Sequence, residues 1–359
     1  MPLPFILGAA AIALAGTGAK KAYDGYQDSS EADSITEEAE SLYEEEESIF
    51  KKQEEVTNNS LDNLGELQLS IGADFAEFQR ISEPLLEKLA QHQETKDLQI
   101  NIPKNELDKI EGVAFSATAY LGKVAGSAVA GAGAAYAVYG GVMALAAAST
   151  GTPIAALSGA AAYNAAMAAI GGGSIAAGGF GMAGGAAILG GVVAAPIALV
   201  AGLAYASHAE KKLEGAREYQ EQVQQAVDSM RIGCRNLKQT EDYANKIHKE
   251  LARVYQIFGR YFQDLKNMDT LVRNGIDIQT IAPALIQIIQ NGYAVAAILT
   301  DIITTPLFKA KKDANGELVK DKTDTIEFET DSDGMKIINK EEIDAHITLS
   351  TYNSKSFEA

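Results

Sequence analysis

The sequence predicts a mainly α fold. Two long amphipathic arms, packed as an antiparallel coil or bundle, flank a glycine-zipper transmembrane hairpin module, and a small β-hairpin tail follows. Apolar residues recur at helical spacing over residues 30–100 and again after residue 210. Between these arms, Val124 to Ala209 form 86 consecutive residues without Asp, Glu, Lys or Arg. Turn-forming residues separate short alternating runs over residues 309–359, which favours the hairpin.

Composition excludes several classes of function. The chain carries 30 Lys and Arg against 48 Asp and Glu, which is the wrong balance for a nucleic-acid partner. Its single cysteine, Cys234, allows no disulfide within the chain and fits a reducing compartment. Because no acid–base, nucleophile or metal-ligand pattern is visible, we expect no enzyme activity, no cofactor and no metal.

Residues 1–22 are predicted to form an apolar N-terminal helix. The apolar run from Phe5 to Ala19 precedes Lys20 and Lys21. A signal peptide is one interpretation, but its positive charges would stand on the wrong side of the apolar run. An uncleaved helix that is buried or partly inserted is preferred, because the run is short for an independent span.

Residues 23–110 are predicted to form an acidic helical arm that offers its charged face to a protein partner. Pro84 is expected to kink or interrupt this helix. Its apolar positions form two runs with spacings of seven and then of three or four residues: Leu42, Ile49 and Val56, then Leu61, Leu64, Leu67, Ile71, Phe75 and Phe78.

Residues 111–209 are predicted to form the membrane module. The uncharged run holds 32 Ala and 18 Gly and is long enough for two or four crossings. Positive residues flank both of its ends, which predicts that both arms are cytoplasmic and that the number of crossings is even. The expected turns between crossings are Gly151, Pro153, Gly171, Gly172 and Gly173.

Small residues four apart lie on one helix face and let two helix backbones approach closely. The residues predicted to pack in this way within the membrane are Gly122, Gly126, Gly131, Gly140, Gly181 and Gly185. Tyr136, Tyr139 and Tyr163 are interpreted either as interfacial residues or as ordinary packing residues.

Residues 210–308 are predicted to form the second helical arm, interrupted near Gly233. Its apolar face comprises Ile247, Leu251, Val254, Phe258, Tyr261, Leu265 and Met268. The apolar stretch 281–308 contains Gln287, Gln290, Asn291 and Asp301, so it is interpreted as a buried helix more than as a span. Residues 309–359 form the predicted β-hairpin or a mobile tail.

One motif could indicate a nucleotide site. Residues 179–184 match G-x-G-x-x-G, but no strand precedes them and no acidic residue follows until Glu210. Such a match is expected by chance in a segment so rich in glycine. A dinucleotide site is therefore not predicted, and no P-loop motif exists in the chain.

An Ala-rich stretch followed by GGGS and AAGG occupies residues 168–179. It resembles the glycine- and alanine-rich domain of the interferon-inducible small hydrophobic proteins and their bacterial look-alikes. That resemblance implies membrane insertion and helix packing. The order of long helix, uncharged block and long helix resembles the α-helical pore-forming toxins of the cytolysin A and tripartite haemolysin type. This chain departs from them in its much longer apolar block.

The expected function is therefore non-enzymatic. The protein would insert in a lipid bilayer, form a homo-oligomer through its small-residue faces, and perturb or permeabilise the bilayer. Two alternatives stay open at this point: a membrane-anchored coiled-coil scaffold that recruits a protein partner, and a soluble helical bundle that hides the glycine block.

Overall fold

The computed structural model describes residues 19–91, 102–124, 133–134, 136–138, 209–314, 319, 327–332 and 335–358. Helix dominates these residues, as predicted. The helices are α1 (Ala19–Ala90), α2 (Lys104–Val124), α3 (Ala209–Arg273), α4 (Ile278–Ile303) and α5 (Lys340–Asn353), and a 3-10 turn at Ser354–Phe357 follows α5.

The chain divides into two compact units. The first comprises Met1–Ile49 and Val193–Ile232, and the second comprises Phe50–Val192 and Gly233–Ala359. The first therefore contains the amino-terminal parts of α1 and α3. The second contains the rest of both helices together with α2, α4 and α5.

In the first unit, α1 and α3 run parallel. Arg217 pairs with Glu31 at 3.3 Å, and Arg231 pairs with Glu46 at 2.5 Å. Both sequence positions increase together, which only parallel helices allow. The predicted antiparallel coil is therefore wrong, because a heptad pattern defines an apolar stripe and leaves the direction of the partner helix open.

Within the second unit, α1 and α3 are also parallel to each other. The Thr57 hydroxyl donates a hydrogen bond to the carbonyl of Leu237 at 3.1 Å, and the Tyr255 hydroxyl donates to Asp74 at 2.5 Å. The sequence separations of these two pairs are 180 and 181 residues. A nearly constant offset means that α1 and α3 stay in register along this part of their length.

The core of the second unit is aromatic where α1, α3 and α4 meet. Phe258 of α3 is fully buried, with ring centroids 5.2 Å from Phe75 and 5.3 Å from Phe78. Phe78 also packs edge-on against Tyr293 of α4, 5.1 Å away. Tyr293 and Ser82 share a buried hydrogen bond at 2.9 Å, which satisfies the phenol inside the core.

Most of the apolar stretch that begins at residue 281 forms helix α4. By length and composition it is the one helix among the described residues that could cross a membrane. Its face containing Leu285, Ile289 and Leu299 is fully buried in the core of the second unit. Such burial is typical of the core helix of a folded domain and agrees with the interpretation from sequence.

Neither arm is interrupted where the sequence suggested. Helix α1 continues through Pro84 to Ala90, and α3 continues through Gly233 to Arg273. Pro84 and Arg80, four residues before it, are exposed, so water can reach the carbonyl that loses its helical partner. Gly233 lies against the ring of Phe50, where a Cβ would come within 2.8 Å of the ring.

The described part of the tail contains isolated antiparallel bridges at the position of the predicted β-hairpin. Phe308 bridges Ile338, Ala310 bridges Phe328, and Thr330 bridges Lys336. Helix α5, which the sequence analysis did not predict, follows. It packs against α4.

Candidate functional site: the contact between α1 and the uncharged block

One face of α1 carries two glycines at helical spacing. Asp62, Gly65, Leu69 and Gly72 are three or four residues apart, so they lie along one side of the helix. We call this face the α1 seam. It is the place where the start of the uncharged block meets the acidic arm.

Helix α2 packs against the carboxyl-terminal end of the seam. A Cβ added at Gly72 would overlap the Cβ of Ala117 and would approach the carbonyl oxygen of Val113 to 3.0 Å. Val113 and Ala117 are fully buried. Glycine at position 72 therefore permits a helix approach that a larger residue would prevent.

Residues 133–134 and 136–138 are helical and pack against the amino-terminal end of the seam. We call them the latch. A Cβ at Gly65 would overlap the carbonyl of Gly133, and a Cβ at Gly133 would lie 2.5 Å from the carbonyl oxygen of Asp62. The backbones thus touch through two facing glycines.

Polar and aromatic contacts fix the position of the latch. Asp62 Oδ1 accepts a hydrogen bond from the backbone N–H of Ala134 at 2.8 Å. The rings of Tyr120 and Tyr136 meet edge-on with centroids 5.3 Å apart. Tyr136 also donates a long hydrogen bond of 3.4 Å to the hydroxyl of Ser116. Tyr136 is therefore a packing residue here, which is one of its two predicted roles.

The predicted packing glycines fall largely outside the described residues. Gly122 is described and exposed, and no atom of the described residues lies within 4 Å of a Cβ built on it. It therefore makes no close contact with the helices that the structure describes. The others, Gly126, Gly131, Gly140, Gly181 and Gly185, lie outside the described residues, as do the predicted turn residues Gly151, Pro153, Gly171, Gly172 and Gly173.

Sequence reasoning missed Gly65, Gly72, Asp62 and Gly133 as contact residues. A signal existed for Gly65 and Gly72 alone, because an isolated glycine within a helical pattern often has a packing reason. Gly65 and Gly72 are seven residues apart in an otherwise regular helix. The identity of their partners could not be read from that spacing.

In the first unit, the acidic arm carries a cluster of glutamates on α1. Burial, followed by the charges of Glu44 and Glu37, raises the pKa of the Glu40 carboxyl above its ordinary value. Glu46 is compensated by Arg231, whereas Glu44 and its neighbour Glu45 are exposed to solvent. The arm therefore presents a dense negative surface there.

A polar cavity of about 360 Å³ lies among α2, α4 and α5. Lys109 Nζ is 3.3 Å from both Glu106 Oε1 and Asp301 Oδ1. Burial lowers the pKa of Lys109, but these two carboxylates outweigh it and the net shift is upward. His346 hydrogen-bonds Thr305 on another wall. Lys109 thus pairs with both carboxylates, whereas Glu106 Oε2 is buried without a hydrogen-bond partner among the described residues.

No cluster of three or more His, Cys, Asp or Glu side chains suited to a metal occurs in the part of the chain that the structure describes. Comparison with known proteins finds no family model, no curated protein and no solved structure that matches this chain.

Proposed function

We propose that this protein is a non-enzymatic, membrane-inserting helical protein. It oligomerises through small-residue faces of its uncharged block and perturbs or permeabilises a bilayer. The observation that carries the proposal is the block of 86 uncharged residues between two charged helical arms. About 20 apolar residues are enough for one span, so this block has the length for two or four.

The parallel direction of α1 and α3 in the first unit supports the proposal. The apolar N-terminal run ends at Ala19, where α1 begins, and the uncharged block ends at Ala209, where α3 begins. The ion pair between Glu31 and Arg217 lies within about two to three turns of both helix starts. Two apolar segments therefore join the helix pair at the same end.

The composition of the block suits association more than simple anchoring. Alanine and glycine contribute little to the free energy of insertion, whereas leucine, isoleucine and phenylalanine contribute more. Small residues four apart instead favour close helix–helix contact within lipid. We therefore propose insertion as hairpins that are stabilised by one another, with both arms on the cytoplasmic side.

The first test is fractionation of the expressed full-length protein with an alkaline carbonate wash. Retention in the membrane pellet supports insertion. Leakage from vesicles of phosphatidylcholine and phosphatidylglycerol then separates a permeabilising protein from an anchored scaffold. Full release into the wash contradicts stable insertion and favours a soluble bundle.

A pair of double variants tests the packing face. Gly181→Leu with Gly185→Leu should abolish oligomers and leakage, because two leucines separate the helices. Ala183→Leu with Ala187→Leu adds the same bulk two residues further along, on the opposite face of the proposed helix, and should be tolerated. Equal oligomer content and leakage in both variants would contradict packing through the glycines.

A second candidate function is a membrane-anchored scaffold. Ile49 of α1 is 49% exposed and lies four residues after the exposed Glu45, so an apolar and acidic face is open to solvent. Such a face suits a basic amphipathic partner helix. Full-length protein with Ile49→Arg should lose that partner in a pull-down from membranes, while Leu349→Arg should retain it. Identical recoveries from both variants would remove the support for this candidate.

A further inference from the structure

The contact at the α1 seam joins the uncharged block to the charged arm through few side-chain atoms. Gly133 and Ala134, which touch the seam, carry a methyl group or less and bury little apolar surface, whereas Tyr136 and Val138, each 2% exposed, supply the large buried side chains of the latch. The backbone of Gly133 nevertheless approaches Gly65 and Asp62 as closely as glycine allows. The contact at the seam is therefore specific in shape, and Tyr136 and Val138 provide most of the apolar burial of the latch.

One charged group secures this contact. The Asp62 carboxylate accepts the hydrogen bond of the Ala134 N–H at 2.8 Å. A hydrogen bond to an ionised group is stronger than one between neutral groups. Water can replace this bond when the latch moves away, because Asp62 is only partly buried. The bond therefore stabilises the closed position of the latch, and hydration of the carboxylate offsets part of its loss on opening.

We infer that the latch, residues 133–134 and 136–138, holds the start of the uncharged block on α1 in the non-inserted protein, and that breaking its bond to Asp62 precedes insertion. This inference rests on the proposed function. The aromatic pair between Tyr120 and Tyr136 is the second contact that opens. The α1–α3 pairing stays closed, since its contacts lie elsewhere on α1.

The direct test is a reversible covalent lock. Asp62→Cys and Ala134→Cys, combined with Cys234→Ser, place one thiol on each of the two residues that the hydrogen bond joins. The oxidised protein should release vesicle contents at least about tenfold more slowly than the reduced protein, and dithiothreitol should restore the rate. The vesicles contain phosphatidylcholine and phosphatidylglycerol.

A matched lock controls for general stiffening. Glu77→Cys and Lys266→Cys replace an ion pair of 3.6 Å between α1 and α3, away from the seam. The oxidised form of this control should leak as fast as its reduced form. If the control is slowed equally, then insertion requires the helix pair to open and the latch inference is wrong.

Single substitutions test the same bond without a crosslink. Asp62→Ala should raise the leakage rate and the amide exchange of residues 136–138 about tenfold, while Asp62→Asn keeps an acceptor and changes both less. If the variant with cysteines at positions 62 and 134 leaks equally in its fully crosslinked and reduced forms, the latch inference is wrong and the proposed function is unaffected. No leakage from any reduced protein, wild type included, overturns the proposed function and the latch with it.

Discussion

Gly65→Ala is the most informative small change, because it adds one methyl group where α1 touches the latch. The added Cβ would overlap the carbonyl of Gly133. A carbonyl is backbone and cannot rotate away as a flexible side chain would. Either the latch shifts away from α1 or the overlap destabilises the folded protein.

Two opposing terms set the magnitude. Replacing glycine by alanine within a helix stabilises it by about 1 kcal/mol. Forcing an extra methyl group into a packed contact costs about 1–3 kcal/mol. Gly259→Ala supplies the first term alone, because no atom of the described part of the chain lies within 4 Å of a Cβ at that position. The unfolding free energies of the two variants should therefore differ by about 1–3 kcal/mol, with Gly65→Ala the less stable.

Urea unfolding followed by circular dichroism measures both free energies, provided that the transition is two-state. Amide exchange then identifies which residues are destabilised. We expect faster exchange in residues 136–138 and an unchanged exchange rate in the core around Phe258. If Gly65→Ala stabilises the protein as much as Gly259→Ala does, then the latch does not lie against α1 and the reasoning from glycine contact fails.

Two further predictions concern the second unit. Phe258→Ala should lower the unfolding free energy measured in urea by about 3–5 kcal/mol, because the ring is fully buried. The control Tyr352→Ala should change it by less than about 0.5 kcal/mol, because Tyr352 is 74% exposed. Equal losses in the two variants would refute the assigned core. Burial raises the pKa of Glu250, but hydrogen bonds from Arg253, Ser350 and Thr351 outweigh it and the net shift is downward. That stabilisation is present above the unfolded-state pKa of about 4.3 and is lost as the pH falls below it, so the stability difference between wild type and Glu250→Gln should shrink in acid.

Periodicity alone predicted most of the helical content. The apolar positions from Leu61 to Phe78 and from Leu251 to Leu265 lie in the core of the second unit, because a 3.6-residue period leaves one face for burial. The same reasoning went wrong at Pro84 and Gly233, where it treated local breakers as interruptions. In each case the surroundings of the residue allow the helix to continue.

The sequence by itself determined that this is a helical protein with an acidic character and a long uncharged segment, since these follow from residue type and spacing. The tertiary structure alone decided the direction of the long helices and the partners of the small residues. A heptad stripe is compatible with either helix direction, so only paired residues such as Glu31 with Arg217 reveal it. Likewise, a glycine in a helix indicates that something approaches closely, but only the fold shows that Gly65 faces Gly133.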